Sequence, residues 1–283
     1  MYETLISVDT LAGLMQQIKR ELVIVDCRFS LANPNWGYEE YKVGHIPDAV
    51  YAHMNEDLSG PVIKGKTGRH PLPDPGKFVE WVQRTGISNQ SQVVAYDQAN
   101  GSMAARLWWL MQWIGHPAVA VLDGGWVAWQ RAGLPIDDKV PHPKPTTFIP
   151  TFHNELLVSA DEVDNWACDN EHTVVDSREV NRYLGIEEPI DLVAGHIPGA
   201  INKPFLENTN PDGTWKTKDE LRARFASLLN KRSGEQIAFY CGSGVTASHN
   251  ILAFKHAGLG DARLYPGSWS EWITDETRAI EVG

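Results

Sequence analysis

Cysteine is scarce in this chain of 283 residues, which has only Cys27, Cys168 and Cys241 and no CxxC pair. An odd cysteine count at these spacings predicts neither a disulfide framework nor a zinc site. The sequence also lacks a bilayer-length apolar run and a cluster of basic residues, so we expect no membrane or nucleic-acid partner. With no signal-peptide pattern at its start, the chain is predicted to be cytoplasmic. Its net charge of −11 favours solubility and does not specify a substrate.

Several motifs occur twice, at nearly constant separation. Two Asp-x-Arg motifs, at residues 26–28 and 176–178, lie 150 residues apart, and two Gly-His-Ile-Pro motifs, at 44–47 and 195–198, lie 151 apart. Tyr96 and Tyr240 are 144 residues apart, and Trp126 and Trp269 are 143 apart. These offsets predict two copies of one domain rather than a solenoid, whose repeats are shorter.

Prolines mark the boundary between the copies. Positions 135, 141, 143, 145 and 150 are all proline, so we predict domains at 1–134 and 152–283 joined by a stiff linker at 135–151. Within the copies, short apolar runs alternate with helix-like segments at 76–85, 104–115 and 218–230. This alternation predicts an α/β fold in which each domain is a parallel sheet with helices on both faces.

The segment at residues 237–257 is the most informative part of the chain. Four apolar residues lead directly into Cys241, followed by Gly-Ser-Gly and a helix-compatible stretch that ends before Gly258. The pattern predicts a strand, a tight loop and a helix, with the cysteine at the carboxyl end of the strand. Glycines in the loop allow successive N–H groups to face one point, where they favour a thiolate. A lone cysteine is usually a small buried hydrophobe, but such a residue needs no glycine-built loop.

Cys-Gly-Ser-Gly-Val-Thr-Ala at 241–247 resembles the active-site loop of mercaptopyruvate sulfurtransferases in the rhodanese superfamily. Thiosulfate-preferring rhodaneses are similar but carry basic residues after the cysteine. The resemblance implies two tandem rhodanese-like domains, of which the C-terminal one is catalytic and needs no cofactor or metal. Asp97 stands in the first copy where Cys241 stands in the second, so we expect the first copy to be inactive.

The predicted site contains two catalytic residues, Cys241 and Ser243. The residues predicted to bind substrate are Arg182, Gly242, Gly244, Val245, Thr246 and His45. The resemblance implies that Arg182 clamps the anionic end of the substrate, the alternative being a surface salt bridge, and that His45 approaches Ser243. This chain departs from the family pattern at Asp191, which stands where these enzymes often have a second arginine.

Two further features each have an ordinary structural explanation. The loop at 68–73, which contains Arg69 and His70, either covers the site or is solvated. The recurrent Asp-x-Arg motifs are interpreted as structural ion pairs, since paired charges can hold loops as well as substrates.

The predicted function is transfer of sulfane sulfur from the small molecule 3-mercaptopyruvate to an acceptor through a persulfide on Cys241. The acceptor is a thiol, a thioredoxin-like protein or cyanide. One alternative donor is thiosulfate, a dianion for which a loop without Lys or Arg is poorly suited. Outside sulfur transfer, the hypotheses are a non-catalytic binding module and a phosphatase. A phosphatase of this kind needs an arginine six residues after its cysteine, where this chain has Ala247.

Overall fold

A computed structural model describes residues 1–18, 21–230 and 232–283 of the chain. The chain forms two compact units. The first unit comprises Met1–Gly60, Pro73–His153 and Thr209–Trp215, and the second comprises Pro61–Leu72, Asn154–Asn208 and Lys216–Gly283. Each unit therefore includes a short segment from the other half of the chain.

The first unit is an α/β unit built on one parallel sheet. Its strands are β1 (Leu5–Ile6), β2 (Leu22–Asp26), β3 (Val50–Tyr51), β4 (Gln92–Tyr96) and β5 (Val119–Leu122). Its helices are α1 (Val8–Gln17), α2 (Trp36–Val43), α3 (Pro75–Arg84), α4 (Ala104–Trp113) and α5 (Gly125–Arg131). The strand order is β1-β5-β4-β2-β3, and every neighbouring pair is parallel.

The second unit repeats this plan. Its strands are β6 (Thr173–Asp176), β7 (Ile201–Asn202), β8 (Ile237–Tyr240) and β9 (Arg263–Leu264). Its helices are α6 (Ala160–Ala167), α7 (Val180–Tyr183), α8 (Lys218–Leu229), α9 (Val245–His256) and α10 (Ser268–Trp272), and short 3-10 turns lie at Asn154–Leu156, Phe205–Asn208 and Gly234–Gln236. The strand order is β7-β6-β8-β9, again with parallel pairing.

The four strands of the second sheet correspond in order to four of the five strands of the first. In the first, Asp26 is in register with Tyr96; in the second, Asp176 is in register with Tyr240. A parallel bridge between Leu157 and Leu264 stands where the first sheet has its β1–β5 pair. The predicted α/β class and the internal repeat are therefore confirmed. In each sheet the chain reverses its winding direction between neighbouring strands, β2 and β4 or β6 and β8, where open α/β sheets bind ligands.

The Asp-x-Arg motifs form buried ion pairs in both units, as predicted. Arg28 Nη2 donates to Asp26 at 2.6 Å and to the Gly44 carbonyl at 2.7 Å. Arg178 Nη2 makes the same contacts with Asp176 and the Gly195 carbonyl, both at 2.6 Å. Each guanidinium also lies 4.7 Å from the ring centre of a core tryptophan. Their recurrence in both units indicates that these pairs hold the loops that follow β2 and β6.

The predicted linker belongs structurally to the first unit. Thr146 N donates to the Gln83 carbonyl at 2.9 Å, and Thr151 N donates to the Ile114 carbonyl at 3.0 Å. Residues 138–150 contain neither helix nor strand. The domain limits at 134 and 152 stay a prediction. Among the described residues, no helix combines the length and the apolarity that crossing a membrane requires.

Candidate active site

Cys241 follows the last residue of β8 and is 2% exposed. The four residues of β8 are fully buried and hydrophobic, which fixes the direction in which the strand delivers the cysteine. Gly242, Ser243 and Gly244 then form the loop, and α9 begins at Val245. The predicted order of strand, cysteine, loop and helix is thus present at the winding reversal of the second sheet.

The loop backbone is directed at the cysteine sulfur. Gly244 N donates to Cys241 Sγ at 3.1 Å, and Ser243 N lies 3.5 Å from the same sulfur. Gly244 has a φ of +76°, and a Cβ there would lie 2.5 Å from the Pro266 carbonyl oxygen, so only glycine fits without strain. Donors aimed at the sulfur stabilise a thiolate more than a thiol.

The chain around α10 holds the other side of the loop. Ser268 Oγ accepts from Cys241 N at 3.1 Å, while Trp269 N donates to the Cys241 carbonyl at 2.9 Å. Ser270 N donates to the Gly242 carbonyl at 3.0 Å. These bonds leave the loop little freedom to move, so the sulfur is held in a fixed position relative to its N–H donors.

Ser243 is paired with a histidine that sequence reasoning did not assign. His70 Nδ1 lies 2.8 Å from Ser243 Oγ, and His70 is 6% exposed. Arg69 N donates to Ser270 Oγ at 3.0 Å, which fastens this segment to the start of α10. The loop at 68–73 is therefore packed on the cysteine loop rather than solvated. Its prolines and titratable side chains were the only local signal of this role.

His45 lies in the first unit and is fully buried. Its Nδ1 lies 2.7 Å from the Tyr41 carbonyl, and its ring stacks on Tyr41 at 4.1 Å between centroids. His196 has the equivalent contact with the Tyr183 carbonyl in the second unit. The histidine that contacts Ser243 is His70, and a role for His45 in binding stays a prediction.

Arg182 lies on α7 and is 13% exposed. Its Nε donates to both carboxylate oxygens of Glu188, at 3.0 and 3.1 Å, and one Nη donates to Asp191 at 2.9 Å. The second guanidinium nitrogen lies 3.6 Å from where a Cβ of Gly242 would be. The predicted substrate arginine is thus both an ion-pair partner and a neighbour of the cysteine loop. Val245 is buried and Thr246 half-buried in the first turn of α9.

The corresponding loop of the first unit is filled by its own side chain. Asp97 follows β4, and its carboxylate accepts N–H donors from the loop and the start of α4 at 2.7 to 3.2 Å: Ala99, Gly101, Met103 and Ala104. Burial raises the pKa of Asp97, and these bonds oppose that shift. The loop of the first copy therefore binds a carboxylate of the chain itself.

The remaining cysteines have different surroundings. Cys27 is buried, and burial raises the pKa of its thiol well above the usual value. Cys168 is exposed at the end of α6. Within the described part of the chain, no group of three His, Cys, Asp or Glu side chains is arranged to hold a metal ion.

Comparison with known proteins identifies the family. The rhodanese-like domain model matches residues 7–132 and 159–275. A Pseudomonas aeruginosa protein named "Probable 3-mercaptopyruvate sulfurtransferase" is 44% identical over 93% of this chain and 93% of its own length. The "Putative thiosulfate sulfurtransferase SseB" of Mycobacterium tuberculosis is 37% identical over 99% of this chain and 98% of its own length.

A solved structure, that of SseA from Escherichia coli, gives the same answer for the fold. It is described in terms of the rhodanese fold and catalytic mechanism of 3-mercaptopyruvate sulfotransferases. It is 30% identical, covers 95% of this chain and 100% of its own chain, and superposes with a TM-score of 0.81. The resemblance carried by residues 241–247 and by the repeated motifs is confirmed. The chain belongs to the rhodanese-like family, with two copies of the domain.

Proposed function

We propose that this protein is a sulfurtransferase that moves sulfane sulfur from 3-mercaptopyruvate to a thiol or cyanide through a persulfide on Cys241. The observation that carries the proposal is the pair of N–H groups directed at Cys241 Sγ, next to a Ser243 hydroxyl in contact with His70. Relatives named as mercaptopyruvate and as thiosulfate sulfurtransferases support sulfur transfer as the reaction class.

The first half-reaction begins with attack of the Cys241 thiolate on the sulfur of mercaptopyruvate. A sulfur–sulfur bond forms, the carbon–sulfur bond breaks, and its electron pair leaves on carbon as pyruvate enolate. The thiol proton of the donor is transferred to that carbon, which yields pyruvate and a persulfide anion. The N–H groups of Ser243 and Gly244 stabilise negative charge on the sulfur.

Ser243 and His70 act on the developing enolate. The Ser243 hydroxyl can donate to the enolate oxygen while its oxygen is hydrogen-bonded to the imidazole, and this pair can relay the thiol proton of the donor to the enolate carbon. The 2.8 Å separation of Ser243 Oγ and His70 Nδ1 is within hydrogen-bonding range. In the second half-reaction an acceptor thiolate or cyanide attacks the outer sulfur and releases the Cys241 thiolate. A thioredoxin-like protein is one acceptor that supplies such a thiolate.

Thiosulfate is the second candidate donor, favoured by the relative named a thiosulfate sulfurtransferase. Sulfite, the group that leaves thiosulfate, needs no proton from Ser243. The second negative charge of thiosulfate, however, needs a cation to bind it. The loop at 241–247 contains no Lys or Arg. This favours mercaptopyruvate, whose single carboxylate is matched by one guanidinium such as that of Arg182.

Two measurements test the proposal. Steady-state kinetics should give a higher kcat/KM for mercaptopyruvate than for thiosulfate, and mass spectrometry of the donor-treated protein should show one added sulfur on Cys241. Cys241→Ser should abolish turnover, whereas a Cys27→Ser, Cys168→Ser double variant should keep it. Absence of a persulfide with both donors would refute sulfur transfer, and a clear preference for thiosulfate would refute only the donor assignment.

A further inference from the structure

The second unit exposes a group of aliphatic side chains on α7, on the loop that follows it and next to Gly283. Main-chain bonds join these segments: Ile186 N donates to the Asn181 carbonyl at 2.9 Å, and Gly283 N donates to the Leu184 carbonyl at 3.1 Å. The apolar patch is defined by six exposed residues: Val180, Ile186, Ile190, Leu192, Val193 and Val282. Exposed apolar side chains that are grouped in this way mark interaction sites, whereas scattered ones do not.

Both neighbours of Leu192 are bonded to residues that contact the cysteine loop. Asp191 accepts from Arg182 at 2.9 Å, and one Nη atom of Arg182 is 3.5 Å from where a Cβ of the first loop glycine would lie. The Val193 carbonyl accepts from Trp269 Nε1 at 2.8 Å, and Trp269 N donates to the carbonyl of the cysteine itself at 2.9 Å. The apolar patch therefore borders the loop that carries the reacting sulfur.

The loop that presents the apolar patch is held in one conformation. Ile190 N and Asp191 N donate to the same carboxylate oxygen of Glu188, at 3.1 and 3.0 Å, and Asp191 also accepts from Arg69. Leu192 is nevertheless 98% exposed. A surface that is already ordered loses little conformational freedom when a partner covers it, which favours binding.

The rim of the apolar patch is acidic. Three exposed carboxylates are each next in sequence to a patch residue: Glu179, Glu187 and Glu281. Residues 179–195 and 280–283 contain five carboxylates and one guanidinium, that of Arg182, which is bonded to two of the five. Charge complementarity therefore favours a partner with an apolar centre and Lys or Arg at its edge.

The same charge disfavours a second copy of this chain as the occupant. In a symmetric dimer the same surface meets itself, so the acidic rims of the two copies would repel each other. Cyanide or a small thiol can reach the sulfur without covering this surface. A protein that carries a thiol uses both features, because it covers the apolar patch and reacts at the adjacent loop.

We propose that the apolar patch is the docking surface for a protein acceptor whose reactive thiol is flanked by aliphatic side chains and by Lys or Arg. The acceptor thiol loses its proton to solvent, and the thiolate attacks the outer sulfur of the Cys241 persulfide. The sulfur–sulfur bond breaks with its electron pair on Cys241 Sγ, and the acceptor leaves as a persulfide. This assignment rests on the proposed sulfurtransferase function, because it names the class of acceptor that the site uses.

The test compares cyanide with three synthetic peptides as acceptors for protein that mercaptopyruvate has loaded with sulfur. The peptides are Lys-Leu-Cys-Leu-Lys, Glu-Leu-Cys-Leu-Glu and Lys-Ser-Cys-Ser-Lys, each capped at both ends. Mass spectrometry follows the loss of the Cys241 persulfide in a single turnover. For each acceptor the wild-type rate is divided by the variant rate, since this ratio cancels the acceptor's own reactivity.

Leu192→Ser should slow transfer to Lys-Leu-Cys-Leu-Lys roughly tenfold, the factor expected for loss of one aliphatic contact. It should leave the rates with cyanide and with Lys-Ser-Cys-Ser-Lys unchanged. Glu187→Gln should slow transfer to the Lys-flanked peptides and accelerate transfer to the Glu-flanked one. Val43→Ser on α2 and Asp219→Asn on α8, both at exposed positions, are the matched controls and should change none of the rates.

Equal ratios for cyanide and for Lys-Leu-Cys-Leu-Lys in Leu192→Ser overturn the proposal. A Leu192→Ser protein with an altered oligomeric state and unchanged peptide ratios also overturns it, because the patch then joins two copies. If the wild type forms no persulfide, the proposed function fails instead. The surface is then tested by the rate at which the pyridyl disulfide of Lys-Leu-Cys-Leu-Lys reacts with Cys241, which needs no sulfur transfer and should show the same tenfold loss in Leu192→Ser.

Discussion

The contact between Ser243 and His70 is expected to assist the reaction of one candidate donor more than that of the other. Mercaptopyruvate releases an enolate that must be protonated, whereas thiosulfate releases sulfite, which is stable as an anion. A hydroxyl backed by an imidazole therefore contributes to one reaction more than to the other. The pairing brings together two residues 173 positions apart in the sequence, both within the second unit.

We predict that Ser243→Ala and His70→Gln each lower kcat for mercaptopyruvate by about a hundredfold, the lower limit for loss of a positioned proton donor. Their effect on thiosulfate turnover should be much smaller. Steady-state kinetics with both donors check this, with Ser227→Ala, on the exposed side of α8, as the control. Equal losses with both donors would show that the pair holds the loop and does not transfer a proton.

At the level of one element, the loop between β4 and α4 supports the prediction that the first copy of the domain is inactive. Asp97 places a carboxylate where the second unit places a sulfur, and the surrounding N–H groups bind it. The carboxylate satisfies donors that would otherwise be buried and unpaired. Four N–H groups of this loop are therefore already bonded to a carboxylate of the chain itself.

We expect Asp97→Ala to lower the free energy of unfolding by a few kcal/mol, since each orphaned buried donor costs about 1–3 kcal/mol. Urea unfolding measures the change. Asp138→Ala, at an exposed position of the same unit, should alter stability by less than about 0.5 kcal/mol. An Asp97→Ala protein as stable as wild type would mean that water replaces the carboxylate at no cost.

Local sequence patterns predicted the elements well because their determinants are local. The helix predicted at 76–85 is Pro75–Arg84, which begins where Asp74 accepts from Lys77 N and a proline occupies the first turn. The helix predicted after the cysteine loop is Val245–His256. The strand before Cys241 is Ile237–Tyr240, as its apolar run indicates.

The site was only partly predictable, because its remaining parts are contributed by distant segments. Nothing near Ser243 in sequence identifies His70 as its partner, and the Gly-His-Ile-Pro motif directed attention to His45 instead. The bridge from Asp191 to Arg69 likewise joins residues that share no periodicity or motif. Such contacts depend on how loops pack after the sheet has formed, which a pattern of neighbouring residues does not encode.

At the scale of the whole molecule, the two halves of the chain exchange segments. Residues 61–72, from the first half, belong to the second unit, and residues 209–215, from the second half, belong to the first unit. The exchanged segment 61–72 includes both Arg69 and His70. The first half of the chain therefore contributes to the candidate site, since it supplies His70 to the cysteine loop.

This exchange predicts the outcome of cutting the chain. A protease site inserted between residues 141 and 142, in a stretch with no helix or strand, should give two pieces that co-elute and retain turnover. A fragment of residues 152–283 alone should lose about a hundredfold or more of its mercaptopyruvate turnover, because it lacks His70. Size-exclusion chromatography and donor kinetics check both outcomes. Full activity in the 152–283 fragment would contradict the assignment of residues 61–72 to the site.

The bond between Arg69 N and Ser270 Oγ spans 201 residues, and this distance has a consequence during protein synthesis. At about 5–20 residues per second, a ribosome needs roughly 10–40 seconds to proceed from one partner to the other. Throughout that time the segment around Arg69 has been made but its partner on α10 has not. Cys241 also leaves the ribosome before the residues of α10 that hold its loop. We therefore expect that a nascent chain cannot carry sulfur on Cys241 until translation is nearly complete. A product truncated before α10 would present the Cys241 thiol without the residues that hold its loop.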